Sequence, residues 1–153
     1  MFTLTDLLNI AVKMEENGKK IYLEAARTTH SAPLKELLEW MAGEEDRHKK
    51  WFEARKKDWV EGSQSSQDPG IPEELLTEMM GGKGLSLDDV DLARMESPRA
   101  LLETFMVFES DAILFYDFLE AFLQDDAAVE GLKKIQDEER KHIKKLEGML
   151  DAL

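Results

Sequence analysis

One pattern occurs twice in this chain of 153 residues: a glutamate, followed 30 positions later by a Glu-x-x-His. Every member of the second copy lies 94 positions after its counterpart in the first copy. A carboxylate from one helix and a Glu-x-x-His from the next, supplied twice, make a complete ligand set for two metal ions. The repeat therefore predicts a dimetal centre inside a helical bundle. The six candidate metal ligands are Glu15, Glu45, His48, Glu109, Glu139 and His142.

Hydrophobic residues recur with the period of an α-helix in four long segments, and signals for β-strands are almost absent. The segments cover roughly residues 4–28, 33–59, 98–123 and 127–150. Short loops join the first segment to the second and the third to the fourth, so each pair is expected to pack antiparallel. We predict an all-α antiparallel four-helix bundle that forms a single domain, residues 1–153.

A long connection, from about residue 61 to residue 96, separates the second helix from the third. Its glycine, serine and proline residues predict irregular structure, with short helices near 72–76 and 87–90. A connection of this length lets the third helix begin at the end of the bundle where the second helix began. We therefore interpret residues 61–96 as a crossover.

The candidate ligands lie on the apolar stripes of their own helices. Glu15, for example, follows Leu8 and Val12 at helical spacing. Residues three apart share one helix face, so Glu45 and His48 can reach the same ion. Four buried carboxylates without a counter-charge would be costly or would have to bind protons, whereas two divalent cations balance their charge.

A single Glu-x-x-His is common on the solvated face of a charged helix, but two copies in register with apolar stripes are hard to explain in that way. Three neighbouring glutamates remain alternative ligands, because a slight rotation of a helix would turn them inward. The apolar stripes and the shared offset favour the first set. The alternatives are Glu16, Glu44 and Glu138.

The repeat extends to Tyr22 and Tyr116, which lie two turns after the first glutamate of each copy. Each phenol can hydrogen-bond a ligand carboxylate, and so fix its orientation, or supply an electron. Both tyrosines are therefore candidate catalytic residues. The alternative is that each is a core aromatic residue whose hydroxyl needs a polar partner. The small residues Gly18 and Ala112, one turn after the same glutamates, leave room beside the metals.

Composition narrows the function classes. The chain has no cysteine, which excludes disulfides, thiolate zinc sites, iron–sulfur clusters and rubredoxin-type centres, so oxygen and nitrogen must bind any metal. A net charge of −13 disfavours binding to nucleic acid or to an anionic membrane surface. We find no signal peptide pattern and no apolar run as long as a membrane span, so we expect a cytoplasmic protein.

Trp40, Trp51 and Trp59 lie on the second helix, where we expect packing or a subunit contact rather than electron transfer. His30 lies in the loop before that helix, where we expect it to be exposed to solvent. We expect a homodimer or a higher homo-oligomer.

The motifs at 15–22, 44–48, 109–116 and 138–142 resemble those of the rubrerythrin-like branch of the ferritin-like superfamily. Members of that superfamily are known for this ligand pattern, a glutamate from each of two helices and a Glu-x-x-His from each of the other two. The resemblance covers the four helices and not the crossover. It implies a ferritin-like bundle with two iron ions, manganese and zinc being alternatives.

The resemblance also implies an activity in oxidative stress. Hydrogen peroxide or dioxygen would oxidise ferrous iron at the site, and an external electron donor would reduce it again. Glu45 and Glu139 would be shared by both ions, with one histidine on each ion. Glu15 and Glu109 would be terminal ligands.

Two departures and a rival family limit this comparison. Typical rubrerythrins carry a rubredoxin domain that delivers electrons, and this sequence has no cysteine to hold such a centre. They also have a further glutamate where this chain has Ala112, which argues against the peroxide route in which iron moves between ligands. Bacterioferritin uses paired Glu-x-x-His motifs too, but Asp46 stands where it typically has a haem-binding methionine. An iron-storage ferroxidase and a redox-inactive metal-binding module remain alternatives.

Overall fold

The computed structural model of the chain describes residues 1–62, 70–80 and 97–153. Four long helices in these ranges match the four predicted segments, and a short helix matches the one predicted near residue 72. The short helix predicted at 87–90 lies outside the described residues, as does much of the crossover. The helices are α1 (Leu4–Thr28), α2 (Ala32–Glu61), α3 (Glu73–Met80), α4 (Pro98–Glu120) and α5 (Asp126–Asp151).

Side chains that cap free backbone amides define where the long helices begin. The Thr3 hydroxyl accepts a hydrogen bond from the Asp6 amide at 3.0 Å, and the Asp6 carboxylate accepts one from the Thr3 amide at 2.8 Å. The Ser97 hydroxyl accepts a hydrogen bond from the Ala100 amide at 3.1 Å, directly before the proline that opens α4. Among the described helices, none is both long and apolar enough to cross a membrane.

The C-terminal end of α4 differs from that of the third predicted segment. We predicted that the segment from 98 would continue to residue 123, but α4 ends at Glu120. The amides of Phe122 and Leu123 bond the carbonyls of Leu119 and Glu120, three residues back. The apolar periodicity therefore continues through a tighter final turn that is not α-helical.

The buried apolar residues form two clusters at opposite ends of the bundle. We name as the first cluster the set that includes Leu4, Leu8, Met14, Phe52, Phe115, Leu119, Leu132 and Ile135. The second cluster includes Ile21, Ala25, Leu34, Leu38, Met41, Leu102, Phe105 and Leu146. By the order of these residues, α1 and α5 run from the first cluster to the second, while α2 and α4 run the opposite way.

This order confirms the predicted antiparallel bundle with a crossover. Both α2 and α4 begin at the second cluster, so the chain must return along the bundle between them. The described part of the crossover lies at the first cluster, where Phe2 and Ile71 exchange backbone hydrogen bonds of 2.7 and 2.6 Å. Ile71, which precedes α3, and Leu76 within α3 are buried there.

Gly131 of α5 lies directly against the indole of Trp51. A Cβ atom at position 131 would lie 2.6 Å from Trp51 Cζ2, closer than real contacts allow. We expect Gly131→Ala to lower the free energy of unfolding by about 1–3 kcal/mol through overpacking. The measurement is urea denaturation. Gly148→Ala in the same helix is the control, because no atom lies within 4 Å of its added Cβ and it should be stabilising. Equal changes in both variants would contradict the prediction.

Candidate metal centre

All six candidate ligands meet in one buried layer between the two apolar clusters. Along α1, Glu15 directly follows Met14 of the first cluster and precedes Ile21 of the second. In α2, α4 and α5 the candidate ligands likewise lie between residues of the two apolar clusters. Every one of the six residues is at most 1% exposed: Glu15, Glu45, His48, Glu109, Glu139 and His142.

Within the described residues, these side chains form two groups of four. Glu15 and His48 belong to one group, and in each group the potential ligand atoms all lie within 4.8 Å of one another. Glu45 and Glu139 belong to both groups. The second group is completed by Glu109 and His142. The arrangement could thus hold two ions side by side with two carboxylates between them.

Each histidine turns its Nδ1 atom towards the carboxylates. Nδ1 of His48 lies 2.8 Å from Glu139 Oε1 and 3.6 Å from Glu15 Oε2. Nδ1 of His142 lies 3.3 Å from Glu45 Oε1 and 3.4 Å from Glu139 Oε2, without hydrogen-bond geometry. The two rings are nearly parallel, with centroids 6.2 Å apart. One imidazole nitrogen is therefore available on each side of the centre.

Several of these buried atoms have no hydrogen-bond partner. They are the Oε2 atoms of Glu15, Glu109 and Glu139, Oε1 of Glu45, and both ring nitrogens of His142. Orphaned buried polar atoms are rare and need an explanation. Divalent cations would satisfy them together, and a donor set of carboxylate oxygen and imidazole nitrogen suits iron, manganese or zinc. The residues present therefore fit a pair of metal ions.

Protons compensate the charges when no cation does. Burial, followed by the charges of Glu139 and Glu15, raises the pKa of Glu45 well above its usual value. Burial acts to lower the pKa of His48, but the hydrogen bond to Glu139 and the nearby Glu15 carboxylate raise it to about 11. Burial acts to raise the pKa of Glu139, but the neighbouring imidazoles hold it at about 2. Metal ions that bind here must therefore displace protons.

The two tyrosines bond the terminal carboxylates reciprocally across the bundle. Tyr22 of α1 donates to Glu109 Oε1 on α4, and Tyr116 of α4 donates to Glu15 Oε1 on α1, both at 2.5 Å. Burial, and then the surrounding carboxylate charges, raise the pKa of both phenols well above 10. Both hydroxyls therefore remain protonated and act as donors. The sequence suggested such a bond but not that each tyrosine reaches the opposite helix.

The three alternative glutamates lie outside both groups. The side chain of Glu16 is 61% exposed and lies 3.8 Å from Lys49. Glu44 and Glu138 both contact Arg47, whose side chain is half-exposed on α2. Of these three, only Glu138 also touches a histidine, at Nε2 of His48. Sequence reasoning missed that contact, because it joins two helices whose axial alignment the sequence does not display.

The remaining residues singled out in the sequence have different surroundings. Trp51 and Trp59 pack against the first apolar cluster. Trp40 is 42% exposed, yet its ring lies edge-on to His142 with centroids 5.3 Å apart. No sequence signal indicated that contact. His30 is exposed, as expected.

Asp46 occupies the position where bacterioferritin typically has its haem-binding methionine. Its carboxylate lies 2.9 Å from the ammonium groups of both Lys19 and Lys50. Those hydrogen bonds, Lys19 first, lower the pKa of Asp46 to about 2. The side chain is thus an ionised surface acid.

The fold and the site define a ferritin-like carboxylate bundle with two groups that could bind metal. Two solved structures share this fold over 98% of the chain. A ferritin-like diiron-carboxylate protein from Thermotoga maritima is 23% identical, with a TM-score of 0.74 and 95% of its chain covered. A protein of undefined function from Pyrococcus furiosus is 24% identical, with a TM-score of 0.75 and 89% of its chain covered.

Sequence comparison assigns the family. The model of the rubrerythrin family matches residues 6–84, just over half of the chain. The chain belongs to the rubrerythrin family. Among curated proteins, none matches it significantly.

Proposed function

We propose that this chain is a non-haem di-iron oxidoreductase of the rubrerythrin type. Hydrogen peroxide or dioxygen oxidises ferrous iron at the centre, and an external electron donor reduces it again. The observation that carries the proposal is the pair of buried four-residue groups that share Glu45 and Glu139. Two ions held by shared carboxylates act together, as a two-electron reaction requires.

Each iron has three kinds of protein ligand in this proposal. Glu45 and Glu139, which belong to both groups, would help to hold both ions. Glu15 and His48 complete one position, and the matching pair on α4 and α5 completes the other. The four carboxylates balance the charge of two divalent ions, so that the loaded centre is nearly neutral in an apolar interior. Ala112, which is buried beside the site, supplies no further carboxylate.

The iron pair would supply two electrons, which together with two protons reduce one hydrogen peroxide to two waters. The chain's own residues prepare for this reaction. Tyr22 and Tyr116 hold the terminal carboxylates in one orientation and keep their protons. In this proposal either phenol can also supply an electron to the centre. The apolar clusters on both sides exclude bulk water from the layer.

The test is anaerobic loading with two ferrous ions per chain, followed by addition of hydrogen peroxide. We expect near-ultraviolet absorption of ferric iron to appear, with two ferrous ions oxidised per peroxide. Glu45→Ala should abolish the absorption change. Glu44→Ala is the matched control, because that neighbouring carboxylate lies outside both groups.

Two outcomes would contradict the proposal. One is the absence of peroxide-dependent oxidation in the loaded protein. The other is a Glu45→Ala variant that behaves like the wild type. An iron load far above two ions per chain in a large particle would instead favour the storage alternative, and zinc binding without redox activity would favour a structural module.

A further inference from the structure

Glu138 of α5 contacts Nε2 of His48, the outer ring nitrogen, which faces away from the metal centre. Neither metal group contains Glu138. Its Oε2 atom lies 3.1 Å from His48 Nε2, while Nδ1 faces Glu139 Oε1 at 2.8 Å. An ionised carboxylate only accepts hydrogen bonds, so in the metal-free chain Nε2 donates to Glu138 and Nδ1 donates to Glu139. When a metal ion displaces the Nδ1 proton, Nε2 keeps its own, and the lone pair of Nδ1 faces the centre. Glu138 therefore selects the tautomer that can bind a metal through Nδ1.

Arg47 positions Glu138 from the outside. Its guanidinium contacts Oε2 of Glu138 and, at 2.6 Å, Oε2 of Glu44. The Glu138 side chain is only 11% exposed, so water competes little for these bonds. A chain of carboxylate, imidazole and metal orients the ring and increases the basicity of the ligating nitrogen.

His142 has no comparable partner among the described residues. Its Nε2 atom is buried without a hydrogen bond. In the internal repeat, the counterpart of Glu138 is Glu44, 94 positions earlier. That carboxylate instead accepts hydrogen bonds from Nε and Nη2 of Arg47, at 3.1 and 2.6 Å. The repeat thus supplies an equivalent glutamate, but the fold does not bring it to the second histidine.

The hydrogen bonds of the two terminal glutamates are matched. Each terminal glutamate accepts one tyrosine hydroxyl at 2.5 Å, and the remaining two carboxylates belong to both groups. The groups therefore differ at the histidine, because both ring nitrogens of His48 have a hydrogen-bonded carboxylate and neither ring nitrogen of His142 has one. The geometry points to unequal metal positions: Glu138, positioned by Arg47, orients His48 so that the position containing His48 binds the first divalent cation. This inference rests on the proposed metal centre.

Zinc binding, followed by nuclear magnetic resonance of ¹⁵N-labelled histidine rings, tests the inference without reference to activity. The signals of His48 and His142 can be assigned with His30→Gln and His142→Gln variants. We expect the first equivalent of Zn²⁺ added to the metal-free chain to shift the His48 signals. The second equivalent should then shift those of His142. In the loaded protein, the proton of His48 should reside on Nε2.

Two matched variants test the role of Glu138. In Glu138→Gln, affinity for the first Zn²⁺ should fall about 10- to 100-fold, and the first equivalent should no longer prefer His48. Glu44→Gln removes the other carboxylate from Arg47 without touching a histidine, so affinity and order should be unchanged. Circular dichroism checks that both variants retain the helical content of the wild type.

The outcomes separate this inference from the proposed function. If Zn²⁺ shifts neither histidine in the wild type, the metal centre itself is refuted, and the inference falls with it. If the first equivalent divides evenly between the histidines, or prefers His142, only the inference is overturned. The same holds if Glu44→Gln and Glu138→Gln have equal effects. The wild-type order of binding decides the matter even if Glu138→Gln does not fold.

Discussion

Glu45→Ala is expected to prevent loading of both metal positions, whereas Glu15→Ala should prevent loading only of the position that contains His48. Glu45 belongs to both groups, so its removal leaves each position with three protein ligands and one fewer negative charge. Glu15 belongs to one group, and its removal leaves the other group intact. A shared ligand and a terminal ligand should therefore differ in stoichiometry as well as in affinity.

Elemental analysis after anaerobic loading and dialysis measures this difference. We expect two ions per chain in the wild type, about one in Glu15→Ala, and fewer than one in Glu45→Ala. Glu16→Ala is the control, because that exposed neighbour of Glu15 lies outside both groups and should load fully. A Glu45→Ala protein that retains one tightly bound ion, or a Glu15→Ala protein that loses both, would contradict the shared-ligand assignment.

Metal loading should reverse the pH dependence of stability. In the metal-free protein, the pKa values of Glu15 and Glu45 are raised, chiefly by burial, so the folded state retains protons that the unfolded chain releases above about pH 4.5. The raised pKa of His48, about 11, acts in the same direction above pH 6.5. The lowered pKa of Glu139, about 2, affects stability only below pH 4.5. The free energy of unfolding should therefore fall as pH rises from 5 to 9.

In the loaded protein, metal ions hold the same groups deprotonated. The unfolded chain still takes up protons on its histidines below about pH 6.5, so folded stability should rise as pH rises through that value. Loading should also add about 4 kcal/mol at a metal concentration 1,000 times the dissociation constant. Urea denaturation between pH 5.5 and 8, with chelator or with Zn²⁺, measures both slopes.

Glu45→Gln is the control for the metal-free slope. The amide cannot ionise, so the variant should lose less stability than the wild type as pH rises. Slopes of the same sign with chelator and with Zn²⁺ would show that the buried carboxylates are not compensated by protons in the metal-free state.

Much of the centre could be predicted because its local geometry is helical. Glu45 and His48 share one face of α2 wherever that helix lies, since three residues make nearly one turn. The apolar stripes predicted which glutamates turn inward, and the structure places Glu15 and Glu139 in the core but Glu16 at the surface. The antiparallel bundle and the crossover followed from loop lengths, and the fold confirms both.

The sequence by itself determined the helices, the side chains that face the core and the repeat of 94 residues, because all of these depend on spacing along one chain. The family resemblance implied that Glu45 and Glu139 are shared, but only the tertiary structure decided which helix each tyrosine reaches. It also decided that Glu138 reaches a histidine whereas Glu44 does not. Those contacts depend on the rotation and axial shift of one helix against another, which periodicity within a helix does not specify.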